Sequence, residues 1–173
     1  MKRILIVVDM QKDFENGALG TPEAATIVPA AEKIRVFEGP IFVTYDTHGS
    51  DYPDMAEGRK LPVPHCVKGT SGWELDAAIQ DALSGKAYTA VEKNIFGSVD
   101  LPGLVGREAA GEAFSLELIG LCTDICVVSN ALLLKAHFPE APIAVDASCC
   151  AGVTPAKHLA ALETMASCQI DIK

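Results

Sequence analysis

The sequence predicts an α/β domain built on a mainly parallel, doubly wound sheet with helices on both faces. Three observations carry that expectation. The run Ile4–Val8 is continuously apolar and rich in β-branched residues, which suits a parallel strand covered on both faces rather than a half-exposed one. Further short apolar runs alternate with amphipathic stretches opened by capping residues or proline. Finally, 173 residues with 49% apolar content suffice for one substantial core, and neither a repeat nor a linker divides the chain, so residues 1–173 are expected to form one domain.

Taken in order, Ile4–Val8 is the first strand. Residues from about Pro22 to Phe37 follow as a helix, with Thr21 as N-cap, Pro22 at its first position and Pro29 as an interruption. Ile41–Tyr45 is the second strand. The polar, proline-rich stretch from Asp46 to Gly72 exceeds the ~12–15 residues usual for a structureless loop, which marks it as functional. Gly69-Thr70-Ser71-Gly72 lacks the spacing and lysine of a phosphate loop and is expected to cap a helix over Trp73–Leu83. Ala87–Val91 is a short strand and Leu101–Gly106 a short helical or loop segment. Ser115–Leu121 is a strand, Cys126–His137 a helix ended by Pro139, and Pro142–Val145 another strand. Thr154 and Pro155 open a last helix to about Ser167, before a strand over Gln169–Ile172.

Composition excludes several classes. A formal charge of −9 without a basic run argues against nucleic acid and anionic membranes. No apolar run approaches the roughly 18–20 residues of a membrane-spanning helix. The N-terminal run stops at Asp9, short of the roughly 7–15 residues of a secretory core, so a cytoplasmic protein is expected. In that compartment the six cysteines are expected to be reduced, most of them as small buried hydrophobes. The apolar Ala131–Leu134 fits either a core or a subunit interface, so a homo-oligomer stays open.

In doubly wound sheets, sites lie beyond the C-terminal strand ends. The polar residues there are Asp9, Gln11 and Asp13 after the first strand, Asp46 and His48 after the second, and Glu92 and Lys93 after the third. Cys122, Thr123, Asp124 and Cys126 follow Ser115–Leu121. Together they supply an acid, a lysine and a thiol, the inventory of nucleophilic catalysis. Cys126 opens a helix, where the macrodipole, free N–H groups and a nearby lysine are expected to lower the thiol pKa and to bind an oxyanion. Singly, each residue has an ordinary alternative: a buried thiol, a turn aspartate, a solvated lysine.

Asp46, His48, Glu57 and His65 form a carboxylate–imidazole set acceptable to Zn²⁺, Mn²⁺ or Fe²⁺, with Asp51 and Asp54 as substitutes for Glu57. The spacing is no strict motif. Cys122 and Cys126 lack the spacing of a redox pair, and His137 and His158 are expected on helices as surface or packing residues.

These residues resemble the isochorismatase-like cysteine hydrolases, and among them the nicotinamidase/pyrazinamidase branch. The resemblance runs through VVDMQKDF (Asp9, Phe14), YDTH (Asp46, His48), PHCVKGTSGWEL (His65), VEKNIFGS (Lys93, Phe96) and GLCTDICV (Cys126), in the family's order. It implies a six-stranded parallel sheet, an Asp9–Lys93–Cys126 triad, and a cis peptide at Leu121–Cys122 with the N–H groups of Cys122 and Cys126 as oxyanion hole. It also implies a divalent metal, zinc first, on Asp46, His48, His65 and Glu57. The implied reaction is hydrolysis of a small carboxamide, nicotinamide foremost, through a thioester. One departure stands out. The branch usually carries an aromatic three residues before the second metal histidine, and here Pro62 stands there beside Leu61. Phe14, Phe96 and Leu61 are then the pocket candidates, and a ureido acid or another small amide stays open. The rivals are an isochorismatase, which needs no thiol, and a catalytically silent scaffold member.

Overall fold

The computed structural model describes residues 1–24 and 28–173. Among the described residues six strands form one sheet in the order β3-β2-β1-β4-β5-β6, every neighbouring pair parallel. They are β1 (Lys2–Val8), β2 (Ile41–Asp46), β3 (Thr89–Lys93), β4 (Phe114–Leu121), β5 (Ile143–Ala151) and β6 (Asp171–Ile172). The helices are α1 (Lys12–Glu15), α2 (Val28–Val36), α3 (Ala56–Lys60), α4 (Ala77–Leu83), α5 (Leu101–Ala109), α6 (Val128–His137) and α7 (Pro155–Ser167). This is the doubly wound α/β architecture that the sequence predicts.

The period-2 geometry of β1 explains its unbroken apolar run. Leu5 and Val7 enter one core with Ile34 of α2 and Ile79 of α4, while Ile4, Ile6 and Val8 enter the other with Leu101 of α5, Leu134 of α6 and Met165 of α7. Chain progression reverses between β1 and β4, so the topological switch point opens above Val8 and Gly120, which pair across it. At Gly120 a Cβ would lie 2.1 Å from the Val8 carbonyl oxygen, and the residue has φ +128°. Only glycine lets these two strand ends meet.

Several expected boundaries differ. Of the helix expected over 22–37, residues 25–27 lie outside the described residues. Thr21 Oγ1 accepts the Ala24 N–H at 3.2 Å. Pro29 lies in α2, which is described over Val28–Val36. Trp73 belongs to a 3₁₀ turn (Ser71–Trp73), because Leu75 bridges to Gln11 and Asp76 caps α4 by accepting from the Ala78 N–H. Strand β3 lies two residues later than its apolar run suggests, fixed by pairing from Phe42↔Thr89 to Asp46↔Lys93. Lys93 therefore ends the strand. The fifth strand runs on to Ala151 through an irregularity that keeps Cys150 opposite Gly120, and the last is confined to Asp171–Ile172.

The stretch after β2 is structured, with a 3₁₀ turn (Tyr52–Asp54), α3, and a bridge between His48 and Val67. Ala131 and Leu134 are core residues, and Leu133 is partly exposed. All six cysteines are free, five of them buried. Among the described residues no helix is long and apolar enough to cross a membrane.

Candidate active site

Asp9 is the first residue past β1. Its φ of +46° turns the chain sharply, a conformation aspartate tolerates better than most side chains, and it is fully buried. Its N–H donates to the Thr44 carbonyl and hydroxyl oxygens, both at 3.2 Å, and the Thr44 hydroxyl donates to Oδ1 at 2.6 Å. Oδ2 lies 2.6 Å from Lys93 Nζ, an ion pair nearly sealed from solvent. The same Nζ is 3.6 Å from Cys126 Sγ and 3.4 Å from Asp46 Oδ1. Three strand ends thus deliver acid, ammonium and thiol to one point.

Cys126 sits in a widened π-helical turn, Thr123–Val127, that opens α6 directly after β4. The turn is formed as the N–H groups of Ile125 and Val127 both donate to the Cys122 carbonyl at 3.1 Å. The Leu121–Cys122 peptide is cis. Asn130, one turn into the helix and fully buried, donates to the Cys126 carbonyl at 2.8 Å and the Phe96 carbonyl at 3.2 Å, and accepts the Ser98 N–H at 2.9 Å. Thr123 Oγ1 and His158 Nδ1 are 2.8 Å apart, so His158 packs against the turn as expected.

The electrostatics correct one expectation. Burial and the Asp9 charge hold the Cys126 thiol well above its ordinary value, outweighing Lys93. Helix entry and lysine therefore do not produce a resting thiolate. Burial also raises Asp9, against the lowering by Lys93 and Thr44. Lys93 is pushed down by burial but pulled up further by Asp9, Cys126 and Asp46, and stays an ammonium. The resting group is a neutral thiol beside the Lys93 ammonium, with Asp9 Oδ2 2.6 Å from that ammonium, an arrangement in which Asp9 can exchange a proton with sulfur when it is ionised.

About this group lies a second cluster. Asp46, His48 and His65 are all buried, and each offers a ligand atom within 4.8 Å of the others. Asp46 Oδ2 is 3.1 Å from His48 Nε2 and 3.3 Å from His65 Nε2, and Glu57 Oε1 is 3.7 Å from His65 Nε2. His65 Nδ1 is 2.9 Å from the Val63 carbonyl and so carries a proton. Its Nε2 faces a carboxylate oxygen, a contact met either by a second ring proton, which Asp46 and Glu57 favour against burial, or by a cation held between the two groups. The donor set fits a divalent metal. Of the three carboxylates considered as a fourth ligand, Glu57 is the one in contact with His65, whereas Asp51 and Asp54 are exposed. Tyr52, which sequence reasoning missed, packs edge-on against both imidazoles with centroids 4.7 and 5.1 Å away.

A cleft of about 550 Å³ is lined by Glu57, the carboxylate beside His65, by Lys60, Leu61, Ile95 and Phe96, and by Asp124 and Ile125, which directly precede Cys126 in the chain. Leu61 and Phe96 are among its lining residues. Phe14 does not line this cleft, being buried against the His65 ring at 5.6 Å. Thr44 and Asn130 were also missed. Their signal is faint, a lone polar residue inside an apolar strand and another inside an apolar helix.

A switch-point thiol paired with an acid and an ammonium, next to a nitrogen–oxygen metal set, defines an α/β protein equipped for nucleophilic attack on a carbonyl carbon. The family follows from the sequence: the isochorismatase domain matches residues 3–172, and the chain belongs to the isochorismatase family. Among solved structures it is similar to the nicotinamidase/pyrazinamidase PncA of Bacillus subtilis, with 29% identity, 99% of each chain covered and a TM-score of 0.85. It is similar to the pyrazinamidase of Pyrococcus horikoshii in complex with zinc, at 27% identity over 100% of this chain and 99% of that one, with a TM-score of 0.79. The N-carbamoylsarcosine amidase of Thermoplasma acidophilum is 28% identical, with 100% and 96% covered and a TM-score of 0.77.

Proposed function

We propose that the protein is a metal-containing cysteine amidohydrolase that converts a small carboxamide, nicotinamide first, to its acid and ammonia. The observation that carries this reading is the convergence on one Lys93 ammonium of Asp9 at 2.6 Å and Cys126 at 3.6 Å. In this reading Asp9 takes the thiol proton and Cys126 attacks the amide carbon. The N–H groups of Cys122 and Cys126 stabilise the oxyanion, and Asp9 returns the proton to departing ammonia. Asp9 then accepts a proton from water as it cleaves the thioester, releasing the acid and restoring the thiol. Lys93 holds Asp9 and the developing thiolate in one field throughout.

A divalent cation, zinc foremost, would be held by Asp46, His48 and His65 with Glu57 beside them, and when bound supplies a Lewis acid for a ring nitrogen. Pro62, where the branch usually carries an aromatic, together with the likeness to an N-carbamoylsarcosine amidase, favours a ureido acid as the second reading. Ammonia release from nicotinamide, pyrazinamide, ureido acids and simple amides, with metal analysis of the same sample, tests both. Turnover of nicotinamide or pyrazinamide by the wild type and none by Cys126→Ala is expected. Wild-type turnover by Cys126→Ala would end the mechanism.

A further inference from the structure

Two polar side chains in the turn after β1 have no part in that chemistry, yet both reach the metal set through its backbone. Gln11 is fully buried. Its Nε2 donates to the carbonyls of Asp46 and Trp73, each at 2.8 Å, and its Oε1 accepts the Asp46 N–H at 2.8 Å. The side-chain amide thus grips both backbone groups of Asp46, as a neighbouring strand would. Asp13 reaches the other arm: its Oδ2 accepts the Cys66 N–H at 2.8 Å, and its Oδ1 accepts the Ala18 N–H at 3.2 Å. Cys66 directly follows His65 at φ +45°, and its carbonyl accepts the His48 N–H at 3.0 Å.

We propose that Gln11 and Asp13 are positioning residues that clasp Asp46 and the His65–Cys66 segment, holding the metal ligands at a set distance from the nucleophile group. The proposal rests on the metal reading given above. Its physical basis is the double duty of Asp46, whose Oδ2 faces both imidazoles while its Oδ1 faces Lys93. A small shift of its backbone breaks one of those sets. Because Asp9 belongs to the same turn, one short segment carries the proton acceptor and both clasps. Partners behind metal ligands fix their orientation, and losing one typically weakens metal affinity about 10- to 100-fold.

Gln11→Met keeps the side chain's length and removes its hydrogen bonds, and Asp13→Ala removes the second clasp from a half-buried position. Zinc affinity is measured by competition with a chromogenic chelator, alongside circular dichroism, melting temperature and the split between kcat and KM. Met165→Ala, in the opposite core, serves as a destabilised control. Both clasp variants are expected to stay folded and bind zinc about tenfold more weakly or worse. They should lose KM more than kcat, while the control binds zinc as the wild type does. Folded clasp variants with wild-type zinc affinity overturn the proposal, as does an equal loss in Met165→Ala, which would trace the effect to stability alone. Should Gln11→Met not fold, Asp13→Ala decides by the same criterion. A wild type that binds no divalent ion removes the metal reading itself, a result distinct from intact binding in the variants.

Discussion

Thr44 shows how much of the site's chemistry is set by a side chain that touches no substrate. Burial drives Asp9 upward, and the Thr44 hydroxyl, donating to Oδ1 at 2.6 Å, is one of two groups that oppose it. Removing that donor in Thr44→Val raises Asp9 further, because a hydrogen bond made to the ionised form is lost. If Asp9 must be ionised to accept the thiol proton, the acidic limb of kcat/KM for the free enzyme moves to higher pH. An acidic limb that stays put or moves down would remove Asp9 as the proton acceptor. The strand-end rule made Asp9, Lys93 and Cys126 legible in the sequence because each stands at or just past an apolar run. Thr44 and Asn130 were illegible for the converse reason: they lie inside elements, where a single polar residue carries no periodic signal. The state of the thiol differs from expectation too, because sequence shows a neighbouring lysine but not the burial that outweighs it.

Among the elements, those closed by strong local signals matched expectation. Helix α7 begins where Thr154 caps it, its side chain accepting the Lys157 N–H, with Pro155 at the first position. By contrast, β3 is an edge strand whose limits come from its partner β2, and α4 starts late because a tertiary bridge at Leu75 claims the residues before it. No local pattern encodes either. The stretch after β2 lies between these cases: its length announced function, but its folding depends on contacts such as that of α3 with the Tyr52–Asp54 turn. At Gly58 a Cβ would stand 1.9 Å from the Tyr52 carbonyl oxygen, a backbone atom that no rotamer change can move. Gly58→Ala must therefore push α3, with Glu57, away from the turn that carries Tyr52. The expected cost is about 1–3 kcal/mol. New proteolytic cleavage should appear within residues 52–61 while hydrogen-exchange protection of β1 and β4 persists. Unchanged proteolysis would mean that α3 is not held by this contact.

Across the whole molecule, charge ties α2 to the face of the sheet that it covers. Lys33 of α2 bonds Glu117 of β4 and Asp146 of β5, with Lys173 and Arg3 at 3.3 and 3.8 Å from Glu117. Burial raises both carboxyl groups, but Lys33 more than offsets it and leaves each below its ordinary value. Lys33 itself is lowered by burial and raised further by its two partners, ending above its ordinary value. The signs follow. The carboxylates contribute stability above their unfolded values, roughly pH 4, and lose it as pH falls through the lower folded ones; the lysine contributes below roughly pH 10 and loses it as pH rises through its higher folded value. Lys33→Met leaves two largely buried like charges facing each other, a change of about 2–4 kcal/mol at neutral pH, tempered by the remaining Lys173 and Arg3. For a chain of this size that is a melting temperature lower by about 5–15 °C. The diagnostic is the pH dependence of the deficit. Without Lys33 the two acids take up protons more readily in the folded state, so acidification relieves the variant while it weakens the wild type. The gap between them should narrow steadily from pH 7 toward roughly pH 4. A gap of constant size would show that Lys33 acts through the packing of its aliphatic stem, and that charge does not tie α2 to β4 and β5.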